Sequence, residues 1–465
     1  MTYKLTTILM LLATTVGLSQ AADFNIKDLG AIGNGIDLDT VAVQKAIDRC
    51  SEAGVGVVRI PAGRFVIGTV QVKSNVTLSF DHGAELLGSQ DMKDYPIDTL
   101  RPAREGNSEC LLYAEDATNI RFEGLGIIDG RGSRQAFPKR SGPGGRDNRP
   151  RLIRFENCKK VTFSGLTYKN PAFWGIHLVD CKDVHITGVT LQMRDNNSNN
   201  DGFDIDGCEN VLLENSEIHS HDDAICLKSS LNPCRNIVVR NCNVSSITAG
   251  LKCGTSSSGG FIDVDVSNCY FFDCPMGGIK LQIVDGGRME NIKISRIVMD
   301  NVGSPIFIRL ANRGRIYTKN TYTGTNLLNG KKSEGASVGS IKGVRISDVM
   351  ANVTIQPRAK TVTDKDIAKA GPIMIAGIPG HNVEDVLLEN ISISYPGGID
   401  EEANRVVPED ETRYPEQYFF GVLPAWGAYI RHAKNVEFKN VKMTLREEDA
   451  RQKIVLDDVE GFVEK

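Results

Sequence analysis

The chain has almost no charge imbalance: 54 Lys and Arg face 58 Asp and Glu, a formal net charge of −4 over 465 residues. Such a balance supplies no basic footprint for a nucleic-acid backbone and no cationic face for a membrane surface. Long apolar runs are equally scarce. One spans Leu5 to about Leu18, after the single positive charge of MTYK, and no second follows, so no membrane anchor is expected. Ser19-Gln20-Ala21 then offers small residues at the cleavage positions. Residues 1–21 read as a secretory signal peptide cut near Ala21, with export to the periplasm or the medium as the expectation. No cysteine stands close behind the run, which speaks against lipid anchoring. The eleven cysteines are odd in number, and a chain this long does not need disulfides to fold.

What is abundant is repetition. From Asn119 onward a polar residue, then Val or Ile, then alternating apolar residues recur, as in KKVTFSGL, KDVHITGV, ENVLLENSEI and RNIVVRNCNV. The leading apolar residues Val161, Val184, Val211, Ile237, Val264 and Ile292 are spaced 23 to 28 residues apart. That is a solenoid period, and alternation within each unit means strand rather than helix. The expected fold is all-β, a single-stranded parallel β-helix, with residues 22–465 as one unit because repeat folds grow by stacking. Cys158, Cys181, Cys208 and Cys234 stand just before the recurring apolar position, and Asn215, Asn241 and Asn268 also recur. Both sets are expected to form structural ladders of small buried thiols and stacked amides. Near the start, Asp39 or Thr40 can cap a helix with Val43, Ala46, Ile47 and Cys50 on its apolar face, ended by Gly54 and Gly56. This short helix is predicted to cover the open end of the stack.

Longer intervals near 129–150, 313–340 and 395–430 break the rhythm and are expected to build a groove on one face. The last contains Tyr414, Phe420 and Trp426, which suit either sugar stacking or packing against the solenoid wall.

One repeat stands apart. NNDGFDIDG places Asp201 about one coil before the adjacent pair Asp222 and Asp223 in HSHDDAICLKS. Coiling at the repeat period brings the three together, and crowded carboxylates raise at least one pKa. Glycoside hydrolysis uses such a set, one acid for the leaving oxygen and one carboxylate as nucleophile or base. Neighbouring residues point to opposite faces of a strand, so the pair is expected where a strand begins and the backbone can bend. Asp204 and Asp206 should face outward from one strand. Acids at turns also bind calcium or simply solvate a surface, and the spacing by itself leaves those readings open.

NNDGFDID and HDDAICLKS resemble the NTDGIDID and GDDCIAIKS motifs of glycoside hydrolase family 28, the polygalacturonase family. RLIRFENCKKV, then NPAFWGIHLVDCKDV with Asn170, Phe173, Trp174 and His177, and the closing IVLDDVEG are also similar to that family. The resemblance implies a right-handed, pectin-lyase-like β-helix and an inverting hydrolase of an acidic cell-wall polysaccharide such as polygalacturonan or rhamnogalacturonan. It also implies Asp222 as general acid, with Asp201 and Asp223 activating water. Two motifs depart from the pattern. Ala249 stands where the family has His in G-H-G, and Gly278 where it has Arg in R-I-K, leaving Lys280. Lys228, Lys252, Lys280 and Arg309, in AICLK, AGLK, GGIK and PIFIR, are expected as one outward cationic column that either holds carboxylates or sulfates of an acidic polysaccharide or pairs with nearby Asp as a charge ladder. His219 and His221 superficially resemble a metal pair, but a substrate-facing imidazole or a hydrogen bond to an Asp suits His221 better. No metal or cofactor and a monomer are expected. A β-helix polysaccharide lyase and a non-catalytic glycan-binding solenoid are the alternatives.

Overall fold

The computed structural model describes residues 22–96, 100–139, 148–193, 197–317, 322–323, 336–356, 370–399 and 406–465. The signal-peptide reading of residues 1–21 and the middles of the three long intervals lie outside the described residues. The chain winds as a right-handed parallel β-helix. Through its central coils each strand pairs in parallel with the strand three further on, so one turn has three strands and the stack has three faces.

The repeat period maps directly onto register. Val161 pairs with Val184, Val184 with Val211, Val211 with Ile237, Ile237 with Val264, and Val264 with Ile292. All are buried. Each apolar residue therefore sits under its equivalent one strand spacing away, and the core is a continuous column. Ile237 is fully buried in that column, so Ile237→Ala should lower stability by about 2–5 kcal/mol in urea denaturation.

The ladders form as the pattern implied. Cys158, Cys181, Cys208 and Cys234 are buried free thiols, and Cys181 and Cys234 point to the carbonyls of Phe155 and Ile205 in the preceding coil. Asn215, Asn241 and Asn268 have φ near +54°, the left-handed region that Asn tolerates better than branched residues. Asn241 donates to Asn215 at 3.1 Å, and Asn268 accepts from Arg296 at 2.6 Å. A second corner ladder, with Asn236 donating to Asn210 and Asn210 to Asp183, obeys the same rule.

The helix α1, Thr40–Glu52, buries Val43, Ala46, Ile47 and Cys50 against the first coil. Two details differ from expectation. The Asp39 carboxylate does not cap the helix; it accepts from the backbone N–H groups of Ile32 and Gly33 and holds the preceding loop. Gly54 ends the helix region at φ +97°, whereas Gly56 begins the next strand.

One face carries the cluster of Asp201, Asp222 and Asp223. Its strands are β1 (Cys110–Glu115), β2 (Arg151–Glu156), β3 (Ile176–Val179), β4 (Phe203–Asp206), β5 (Ile225–Lys228), β6 (Ala249–Cys253), β7 (Gly277–Ile283), β8 (Ile306–Leu310), β9 (Ile373–Ala376) and the first part of β10 (Ala425–Leu445). The described parts of the long intervals fold over this face. Phe420 serves packing there, buried against Arg309, whereas Trp426 packs on the interior core and meets Tyr395 edge-on.

Candidate active site

Asp201 stands two residues before β4, and Asp222 and Asp223 just before β5. At these strand starts the backbone is free of strict alternation, so both members of the adjacent pair project toward the same place. Gly202 donates its N–H to the Asp223 carbonyl at 3.0 Å, which locks the two coils in phase. A Cβ at Gly202 would meet the Ala224 carbonyl oxygen at 2.4 Å, so only glycine allows that approach. One oxygen from each of Asp201, Asp222 and Asp223 lies within 4.8 Å of the others.

The supports of the three acids differ. Asp223 is 5% exposed and accepts from Lys252 Nζ at 2.7 Å and Thr248 Oγ1 at 2.9 Å. Asp222 is half-buried; its Oδ1 accepts from the Asp223 N–H at 2.9 Å and its Oδ2 from Asn199 Nδ2 at 3.4 Å. Asp201 is buried, and its Oδ1 has no hydrogen-bond partner among the described residues.

Those supports separate their protonation. Burial pushes Asp222 up to about 6, with the Asp223 charge adding to the rise and Lys252 opposing it. Burial acts on Asp223 too, but Lys252 and Lys280 outweigh it and hold that carboxyl below the ordinary range. Asp201 is raised well above the usual value by burial, then by Asp204 and Asp222. The result is one acid kept ionised and another kept protonable, side by side. The trio is also the group of described residues whose spacing could take a cation. The Lys252 ammonium already places a positive charge against it.

The four expected cations do not form one column. Lys252 and Lys280 are register partners, but Lys252 stands opposite Cys226, two residues short of Lys228. Arg309 pairs with Gln282, again two residues beyond the Lys280 position. A two-residue offset keeps the same face, so alternation could not distinguish the two columns. Lys228 faces Asp204 at 3.5 Å and Glu105 at 3.9 Å. Lys280 is fully buried and bound to Glu416. Arg309 lies under the 409–410 segment, donating to the carbonyls of Gly377 at 2.8 Å and Glu409 at 2.6 Å, and makes no contact with the trio among the described residues.

The other expected residues divide similarly. His221 lies at the site, its backbone N–H donating to the Asn200 carbonyl at 3.1 Å. His219 sits on a different face against Ser245 and Phe272, so the two histidines do not form a metal pair. Asp204 and Asp206 do share the outward side of β4 but are buried beneath the covering segments. Burial pushes Asp204 up to about 7 against the pull of Lys228 and Arg151. Tyr414 alone of the three late aromatics reaches the site, accepting from Lys252 Nζ at 3.1 Å. Sequence reasoning missed Glu416, which lies 136 residues from Lys280 and carries no local signal. Thr248 and Asn199 were also missed, although both flank motifs already noted.

The sequence model of the family described as "Glycosyl hydrolases family 28" matches residues 50–406. A probable polygalacturonase of Vitis vinifera is 28% identical over 301 residues, 60% of this chain and 61% of that protein. An exo-poly-alpha-D-galacturonosidase of Dickeya chrysanthemi is 26% identical over 342 residues, 61% of this chain and 56% of that protein. The chain thus spans about three-fifths of the length of such curated relatives. Among solved structures, the exopolygalacturonase of Thermotoga maritima superposes with a TM-score of 0.70 at 22% identity, covering 91% of this chain and 93% of that one. The family 28 exopolygalacturonase of Yersinia enterocolitica gives 0.69 at 21% identity, covering 95% and 78%. With its sequence matched to the family over three-quarters of its length and its fold shared with these structures, the chain belongs to glycosyl hydrolase family 28.

Proposed function

We propose that this protein is an exported glycoside hydrolase that cuts the backbone of an acidic cell-wall polysaccharide, a pectin, by single displacement with inversion. The observation that carries this reading is the convergence of Asp201, Asp222 and Asp223 within 4.8 Å, with Lys252 bonded to Asp223 and burial raising Asp222 to about 6. Asp222 gives its proton to the glycosidic oxygen as the bond to the anomeric carbon breaks. A water held by Asp201 and Asp223 attacks that carbon from the other side. Its proton passes to Asp223, which Lys252 keeps available as a base. The curated relatives are named for polygalacturonan, which supports an acidic substrate.

The oxygens of the trio lie closer than the roughly 6.5–9.5 Å usual for an inverting pair and nearer the roughly 5–5.5 Å of retaining ones. Two acids on the water side reconcile this with inversion, because the water then rests against Asp201 and Asp223 jointly rather than in the gap beside Asp222. The anomer of the first product, followed by NMR on a pectic oligosaccharide, tests this. Inversion is expected, and a retained anomer overturns single displacement. An unsaturated product absorbing in the ultraviolet would instead establish a lyase.

The same electrostatics predict a pH profile. The acid needs its proton, so kcat/KM should decline above pH about 6, by about tenfold per unit once past the Asp222 value. The base must be ionised, and its depressed value places the acid limb below the ordinary carboxylate range. An alkaline limb that persists unchanged in Asp222→Asn would detach it from that residue.

A further inference from the structure

The turn that presents Asp201 is built from asparagines, and they do unlike jobs. Asn197 and Asn200 hold backbone. The Asn197 amide donates to the Phe137 carbonyl at 2.9 Å, and the Asn200 amide to the carbonyls of Pro171 at 2.7 Å and Phe173 at 3.2 Å. Asn200 Oδ1 also accepts the Asn197 N–H at 2.7 Å, which closes the turn. Asn199 instead reaches an acid, its Nδ2 donating to Asp222 Oδ2 at 3.4 Å. Its backbone is left-handed, at φ +60°, a conformation that asparagine tolerates.

What aims that amide is Arg149, two residues before β2 and fully buried. Its guanidinium packs on the Phe173 ring, 4.9 Å from the ring centre. It donates to the carbonyls of Ser198 and Ala172, to Asn197 Oδ1 at 3.5 Å and to Asn199 Oδ1 at 3.0 Å. A guanidinium carries donors only, so the oxygen of the Asn199 amide is the end that faces it. The NH2 end is thereby turned to Asp222, and the amide cannot flip without losing the arginine.

This arrangement favours one state of the acid. An amide donor binds a carboxylate more strongly than a protonated carboxyl. Asp222 Oδ1 already accepts the Asp223 N–H at 2.9 Å, so the two donors together cover both of its oxygens. As the proton leaves for the glycosidic oxygen, charge spreads over those oxygens with both donors in place beforehand. The buried guanidinium polarises the amide from behind.

We propose, resting on the hydrolase reading above, that Asn199 and Arg149 are positioning residues for the general acid. The Asn199 amide stabilises the charge that Asp222 acquires on giving up its proton, and Arg149 fixes the amide in the orientation that does so.

The test is the pH profile of reducing-end release from a pectic oligosaccharide by the wild-type protein, Asn199→Ala, Arg149→Lys and the double variant. The groups that face Asp222, namely Asp201, Asp223, Lys228, Lys252, Tyr418 and the adjacent His221, are unchanged throughout. Losing the donor raises the proton affinity of Asp222, so the alkaline limb, which needs the protonated acid, moves to higher pH. Asn199→Ala should move it by about one pH unit and lower kcat about tenfold, with KM within about twofold. A lysine supplies a point charge rather than a planar fork, so Arg149→Lys should give a smaller shift of the same sign. The double variant should match Asn199→Ala, because the arginine acts through the amide. Where Arg149→Lys does not fold, Asn199→Asp decides. It keeps an oxygen for Arg149 and turns a second oxygen on Asp222, so the limb should move further than in Asn199→Ala. A shift no larger than in Asn199→Ala, or additive shifts in the double variant, overturns the part given to Arg149. An alkaline limb unmoved in Asn199→Ala, whatever the loss of kcat, overturns the whole proposal and leaves the hydrolase reading standing. No cleavage of pectic oligosaccharides by the wild-type protein overturns that reading itself.

Discussion

Asp222→Asn is expected to lower kcat for reducing-end release by about a hundred- to ten-thousand-fold while leaving thermal stability within a few degrees of the wild-type protein. The asparagine keeps the shape that accepts the Asp223 N–H and removes only a proton that the folded protein holds unusually tightly. Asp223→Asn should be as damaging to turnover but, unlike its neighbour, also to the fold. Asp223 is buried against Lys252, with Lys280 near enough to depress its proton affinity. Removing its charge leaves two buried lysines with Glu416 as their shared counter-charge, and breaking a buried pair in this way costs about 3–5 kcal/mol. Steady-state kinetics with urea melts of both variants check the contrast. Substantial turnover by folded Asp222→Asn would remove it as the general acid. Equal stability of the two variants would mean that the lysine pairs contribute little.

Lys252→Met carries the second large effect. Lys252 Nζ binds Asp223, is held by the Tyr414 hydroxyl and lies within 3.7 Å of Glu416. With methionine there, the buried Asp223 loses its hydrogen-bonded cation, so its proton affinity rises. The acid limb of the pH profile should move to higher pH, and stability should decline by about 3–5 kcal/mol. At the wild-type optimum less of the base is ionised, so kcat declines even where the variant is fully folded. Lys280→Met should shift the limb less, since Lys280 touches Glu416 rather than Asp223. A pH–rate profile of Lys252→Met identical to that of the wild-type protein would mean that Lys252 does not set the state of the base. This lysine stands three residues after Ala249, the position where the family motif has His, and supplies a cation to Asp223 from the next coil.

The solenoid was legible because its determinants are local. Each coil carries the same apolar positions, and Val161 through Ile292 align across the stack just as their spacing implied. The Asn ladders were legible as recurrences. Their cause, a left-handed backbone at the corner, needed the structure. The expected cationic column shows where pattern reading stops. Lys228 and Lys252 occupy equivalent-looking motifs and the same face, but coil lengths vary, and the register between β5 and β6 puts Lys252 opposite Cys226. Alternation fixes which side a residue faces and is silent about a slip of two.

The sequence by itself determined that the chain coils, that Asp201 comes back to Asp222 and Asp223, and which family carries such a trio. Period and alternation are properties of consecutive residues, so they can be read along the chain. Only the tertiary structure decided which acid keeps its proton and which lysines are already paired. Those outcomes depend on burial and on Tyr414 and Glu416, which arrive from a distant segment folded over the face. Charges in a dry site respond to every neighbour within a few ångströms, whatever its distance along the chain.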